Sequence, residues 1–209
     1  MIEAAPIADE SVTLLLALDM QMDASSKARF PYLQRIQQAH PGDFWVNLAL
    51  ANVVGREDDL EAMRYYQAVV SIRPQMALGH DCLGKALLRV GRIEEAVVSL
   101  RRAADLDPNS IRCVRLLVQH LSKLGRNDEA IDRLGTAIRL NPDAPILRAD
   151  LGRILEADGR HAEAIAQLRQ AIALQPRNLN FQRQFRDLLP PDSDERPTGL
   201  PPGRRFVRE

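Results

Sequence analysis

Aromatic side chains are scarce. Five phenylalanines, three tyrosines and one tryptophan make up 4% of the 209 residues. That scarcity argues against a β-rich core built on aromatic pairs across strands. Cysteine is scarcer still. Cys82 and Cys113 are the whole complement, which excludes a disulfide framework and predicts reduced thiols in a cytoplasmic protein. Net charge is missing: 28 basic residues meet 28 acidic ones. With no basic excess to neutralise phosphates, nucleic acid is not an expected partner. No apolar run approaches the roughly 20 residues that cross a bilayer. The Leu14-Leu15-Leu16-Ala17-Leu18 stretch is short, follows Asp9 and Glu10 and has no basic segment before it. It reads as a core helix, with neither a membrane span nor a signal peptide expected.

What the chain has in quantity is alanine and leucine, 26 and 29 residues. Together with a 27% charged fraction, they predict a globular all-α protein packed by small and aliphatic side chains.

The main signal is a repeat. Pro74, Pro108, Pro142 and Pro176 are spaced by 34, as are Gly91, Gly125 and Gly159. Ala62, Ala96, Ala130 and Ala164 keep the same interval. So do Tyr66, Leu100, Leu134 and Leu168, and Val69, Ala103, Ala137 and Ala171. Within 77–110, Cys82, Leu83, Ala86, Leu87 and Val90 recur at helical spacing. Gly91 then supplies a left-handed cap, and Ile93, Ala96, Val97, Leu100, Ala103 and Ala104 line one side of a second helix. Alanine at the repeated sites lets two backbones approach closely. Pro108, after a cap at Asp107, is expected in the first turn of the following helix, and Asn141-Pro142 repeats that arrangement.

This pattern closely resembles the tetratricopeptide repeat (TPR). It is carried by Leu83-Gly84, Gly91, Ala96, Leu100, Ala103 and Pro108, and again by Leu151-Gly152, Gly159, Ala164, Leu168, Ala171 and Pro176. The stretch 111–144 matches at Leu117, Gly125, Ala130, Leu134, Ala137 and Pro142, but Val118 stands where the family has a small residue. That pair is expected to sit slightly apart. The resemblance covers about 10–178 and is strong over 60–178. It implies a right-handed superhelix, an α-solenoid of antiparallel helix pairs with about eleven helices. The division reads as a degenerate N-terminal pair at 1–42, an irregular repeat at 43–76, and regular repeats at 77–110, 111–144 and 145–178. A capping helix at 179–189 and a disordered tail at 190–209 follow. In 43–76, Gly55 lies 36 residues before Gly91, and the Leu-small pair is either Leu48-Ala49 or Leu50-Ala51. In 1–42, Pro31 is expected to interrupt the second helix. The cap rests on the stripe Phe181, Phe185, Leu188 and Leu189, with Gln182, Arg183, Arg186 and Asp187 as its polar outer face.

Pro41-Gly42-Asp43-Phe44-Trp45, Tyr65-Tyr66 and Arg73-Pro74 also resemble, more loosely, TPR arrays attached to bacterial serine/threonine kinases. The chain itself carries no Gly-rich phosphate loop, His-Arg-Asp or Asp-Phe-Gly.

No other chemistry is signalled. His40, His80, His120 and His161 are isolated, so no metal or cofactor is expected and the chain reads as a non-enzyme. Glu94-Glu95 and Asp128-Glu129 suit the starts of second helices. Phe30, Tyr32, Phe44, Trp45, Tyr65 and Tyr66 cluster at the irregular end, as core packing or as an aromatic binding patch.

The resemblance implies a protein–protein interaction scaffold whose groove is lined by the first helix of each pair. By position the lining is Asp81, Cys82, Lys85 and Arg89, then Arg112, Arg115, Gln119 and Lys123, then Asp150, Arg153 and Glu156. The candidate peptide groove is therefore Lys85, Arg89, Arg112, Arg115, Gln119, Lys123 and Arg153. Its positive surplus predicts an acidic peptide or a terminal carboxylate as ligand. Three other readings stand beside it: a solvated basic face, a basic ligand on the acidic half 1–75 (the chain's own Arg204-Arg205 among them), and the array portion of a kinase signalling system.

Overall fold

The computed structural model describes residues 11–21, 28–55 and 57–189. They form eleven α-helices and, among the described residues, no strand. The chain divides into two compact bodies, 1–107 and 108–209.

The N-terminal body holds α1 (Val12–Gln21), α2 (Arg29–Ala39), α3 (Phe44–Val54), α4 (Asp59–Ile72), α5 (Ala77–Val90) and α6 (Ile93–Leu106). Each helix packs against the next in the chain. Leu15, Leu33, Ile36, Phe44, Leu50, Val69 and Ala96 share one apolar core. The C-terminal body holds α7 (Ile111–Lys123), α8 (Asn127–Leu140), α9 (Pro145–Ala157), α10 (His161–Leu174) and α11 (Leu179–Leu188). There Phe181, Phe185 and Leu189 bury themselves against Ala149, Leu168 and Ala171.

The repeated columns have the roles their residue types suggest. Ala62, Ala96, Ala130 and Ala164 are all fully buried where paired helices meet. A Cβ on Gly84 would lie 2.7 Å from Leu100 Cγ, and one on Gly152 would lie 3.1 Å from Leu168 Cγ. Helix pairs α5–α6 and α9–α10 are thus in backbone-to-side-chain contact. The α7–α8 pair makes fewer close backbone approaches, as expected of Val118, which is itself fully buried. Gly91, Gly125 and Gly159 have φ of 84°, 71° and 79°. This left-handed conformation lets Arg92, Arg126 and Arg160 N–H donate back to the carbonyls of Leu87, Leu121 and Leu155.

Both proline expectations need correction. Asp107 and Asn141 close the preceding helices, donating N–H to Ala103 and Ala137 carbonyls. Pro142-Asp143 forms a turn, closed by Ala144 N–H on Asn141 O, and α9 begins only at Pro145. Likewise Ser110, not Asp107, caps α7. The fixed φ of proline suits the second position of a β-turn as well as a first helical turn. Pro31 does not interrupt a helix; it is the third residue of α2, where a missing N–H costs nothing.

Two devices went unread in the sequence. Arg92, Arg126 and Arg160, 34 apart, each reach three residues on, to Glu95, Glu129 and Glu163. An Arg–Glu clasp therefore follows each left-handed glycine. Side chains six residues after a turn proline also reach back to its carbonyl: Asn47 to Pro41 at 2.9 Å, His80 to Pro74 at 2.9 Å and Gln182 to Pro176 at 2.6 Å. The equivalence of Asn47 with His80 sets α3 at 33 residues before α5, which makes Leu50-Ala51 the Leu-small pair. Ala51 is fully buried, Ala49 only half. Gly55, with φ of −65°, is then no counterpart of Gly91.

At the C-terminal end Arg186 departs from the expected polar outer face. It is buried, with its guanidinium 3.2 Å from Asp187 Oδ1. The long aliphatic stem of arginine packs well against an apolar stripe. Residues 190–209, expected to form a disordered tail, lie outside the described residues, as do 1–10 and 22–27 of the degenerate pair.

Candidate functional site

The candidate groove residues sit on α5, α7 and α9, the first helices of their pairs. On α5 the Lys85 ammonium lies 2.5 Å from Asp81, whose carboxylate is buried. One turn on, Arg89 pairs with Asp59 from α4. Cys82 is half-buried beside them. The α5 cations are thus each matched by a carboxylate of the same body.

On α7, Arg112, Arg115, Gln119 and Lys123 follow one another by three, four and four residues and are all exposed, so they form one stripe. Arg115 reaches α9, where its Nε is 2.5 Å from Asp150 Oδ2. Arg153 approaches the other oxygen of Asp150 at 3.7 Å. Glu156, a turn further on, lies 2.6 Å from His161 Nδ1. Four cations therefore face two carboxylates on α7 and α9, and Asp150 is shared between two arginines. Asp59 could not be found from the repeat, because it lies 30 residues from Arg89 and belongs to no 34-residue column.

A second candidate site lies at the N-terminal end, where the sequence offered only an unlocated aromatic patch. A cleft of about 390 Å³ opens between α1 and α3, lined by Leu16 and Met20 on one side and by Trp45, Leu48, Ala49 and Val53 on the other. Asp19 and Arg29 also line it, locked in a two-pronged ion pair with both distances 2.7 Å. Asp19 is buried, and its hydrogen bond raises the already high Arg29 pKa. Asn52, also on the wall, accepts a 2.7 Å bond from the Tyr66 hydroxyl. Burial pushes the Tyr66 phenol up from its ordinary value, with a smaller contribution from Cys82.

Within the aromatic cluster, Phe44 and Tyr66 are buried in the core, while Trp45 is 45% exposed on the cleft wall. Only the Tyr–Trp richness of 30–66 hinted at this site.

The histidines have local partners. His120 Nδ1 is 2.9 Å from the Leu116 carbonyl and His80 clasps Pro74. Among the described residues no three His, Cys, Asp or Glu side chains converge to hold a metal, and no helix is long and apolar enough to cross a membrane.

Two family models, both described as tetratricopeptide repeat, match residues 83–110 and 115–178. No curated protein sequence matches. Among solved structures, MamA is similar at 18% identity and TM-score 0.68, over 80% of this chain and 93% of that one. YrrB, described as a TPR protein with an unusual peptide-binding site, gives 17% identity and TM-score 0.67 over 82% and 86%. TTC0263, a thermophilic TPR protein in Thermus thermophilus, gives 22% and 0.54 over 85% and 98%. At these identities the likeness speaks for the fold. The columns of alanine, the left-handed glycines, the helix pairs they join and the matched family models converge on one assignment: this chain is a tetratricopeptide repeat protein.

Proposed function

We propose that the protein is a non-enzymatic interaction scaffold that binds an acidic peptide or partner helix on the first-helix face of its C-terminal body. The observation that carries this reading is the exposed stripe Arg112, Arg115, Gln119 and Lys123 on α7, with Arg153 beside it on α9. Asp150 engages two guanidinium groups at once, so the face keeps a cationic surplus. An incoming carboxylate takes charge-assisted bonds from arginine, whose planar fork suits it better than lysine does. The likeness to YrrB, a TPR protein with a peptide-binding site, supports a peptide as the class of ligand.

The experiment is a peptide-array screen of the full chain at low and at physiological salt, with an Arg112→Glu/Arg115→Glu variant alongside. Acidic peptides are expected to bind best at low salt and to lose binding in the variant. Equal retention of acidic and neutral peptides, or binding unchanged by the double reversal, would refute the assignment.

A further inference from the structure

The basic face of the C-terminal body holds a carboxylate that meets two of its cations. Asp150 lies on α9, with Oδ2 2.5 Å from Arg115 Nε and Oδ1 3.7 Å from Arg153 Nη2. Arg115 comes from α7 and Arg153 from one turn further along α9. One acidic side chain thus gathers guanidinium groups from two helices. The three side chains are unequally exposed. Asp150 is 14% exposed, against 43% for Arg115 and 48% for Arg153. The carboxylate is therefore the inner member of the group, and the two guanidinium groups are its outer members.

The repeat does not impose this arrangement. The places 34 and 68 residues before Asp150 hold Leu116 and Cys82, and those 34 before and after Arg115 hold Asp81 and Ala149. Its consequences are physical. Two guanidinium groups brought together repel each other, and each long side chain loses rotamer freedom when it is held in place. Asp150 offsets both costs. Its charge lies between the two cations, and its oxygens fix where Arg115 ends and draw Arg153 alongside. The bond to Asp150 uses the Nε–H of Arg115, which leaves the two NH2 groups of that side chain to an incoming oxygen.

We propose that Asp150 is a positioning residue: it holds Arg115 and Arg153 together as one receptor for a ligand carboxylate at the α7–α9 junction. This rests on the acidic-peptide reading and deepens it. Simple charge counting has the opposite sign. An acidic residue on an anion-binding face repels the ligand, so on charge alone its removal should tighten binding.

The probe is a hexaglutamate peptide, with hexaglutamine as its neutral control. Association and dissociation rates are measured for the full chain, for Asp150→Ala, for Arg115→Ala and for the double variant Arg115→Ala/Asp150→Ala. Asp150→Ala is expected to speed association by up to about twofold, since the face gains net positive charge. It should speed dissociation by about tenfold, since the arginines are no longer held, so that affinity falls about fivefold. In the Arg115→Ala background the same substitution should instead tighten binding, because the repulsion from Asp150 is then its main contribution. A general loss of fold would weaken binding in both backgrounds, so the change of sign separates positioning from stability. Tighter hexaglutamate binding by Asp150→Ala in the otherwise unaltered chain, or equal weakening in both backgrounds, overturns the proposal and leaves the acidic-peptide reading standing. Equal binding of hexaglutamate and hexaglutamine by the unaltered chain overturns both.

Discussion

Replacing Gly84 with alanine probes the most crowded of the described glycine sites. In an isolated helix the change is favourable by about 1 kcal/mol, because glycine carries the larger entropic cost. Here the new Cβ would stand 2.7 Å from both Cγ and Cδ2 of Leu100, and 3.4 Å from the Ala96 carbonyl oxygen. Carbon atoms pack at about 3.5–4.0 Å, so Leu100 must retreat by roughly 1 Å. It is fully buried, and its Cγ is not a mobile tip. Overpacking of this kind costs about 1–3 kcal/mol. The net expectation is a destabilisation of roughly 0–2 kcal/mol once the helical gain is subtracted. The decisive measurement is a double-mutant cycle with Leu100→Ala, which removes the obstructing atoms at a cost of about 2–5 kcal/mol. In that background Gly84→Ala should turn stabilising. Urea unfolding followed by Trp45 fluorescence reads the N-terminal body in which both residues lie. Gly84→Ala that stabilises the unaltered chain, or that has the same sign in both backgrounds, would refute the reasoning.

Ala130→Leu should cost about 1–3 kcal/mol, since Ala130 is fully buried where α7 and α8 meet; a denaturation midpoint equal to that of the unaltered chain would contradict this. Phe185→Ala should cost about 3–5 kcal/mol, because Phe185 is buried in the C-terminal core with Arg169 stacked over its ring. The exposed Leu179→Ala should stay within about 0.5 kcal/mol, and similar melting of the two would remove α11 from the core. All three tyrosines have raised phenol pKa values, chiefly through burial, with Asp19 adding to Tyr32 and Glu61 to Tyr65. The folded state favours the neutral phenol, so this stability is complete below about pH 10, the unfolded value, and is lost as pH rises through the higher folded values. Absorbance at the tyrosinate band should therefore develop above the ordinary midpoint in the folded chain and at that midpoint in urea; coincident curves would refute it.

The helix pairs were legible because the 34-residue columns constrain local geometry. A left-handed cap requires Gly91, and a crowded crossing requires Ala96; both demands are written in single residues. The proline turns were misplaced because proline satisfies two geometries equally, and only the hydrogen bonds of Asn141 and Ala144 separate them. The groove charges were legible as residue types but not as pairs. Arg89 finds Asp59 at a separation of 30 residues and Arg115 finds Asp150 at 35, and neither pair falls in a 34-residue column. The α1–α3 cleft was least legible. Its two helices fall outside the 34-residue register, and its central ion pair joins Asp19 of α1 to Arg29 of α2.

The Arg–Glu clasps and the left-handed glycines bear on how such an array lengthens. Each clasp spans three residues and each glycine-closed bond five, so both lie wholly inside one helix pair. Tandem duplication of a 34-residue segment therefore copies the corner intact, and the new pair needs no compensating change to turn. The face has no such protection. Lys85, Gln119 and Arg153 occupy the same place in successive copies, yet differ, since nothing in the corner depends on them. The architecture thus keeps the turn of each pair in bonds local to that pair, while the first-helix face varies from one copy to the next.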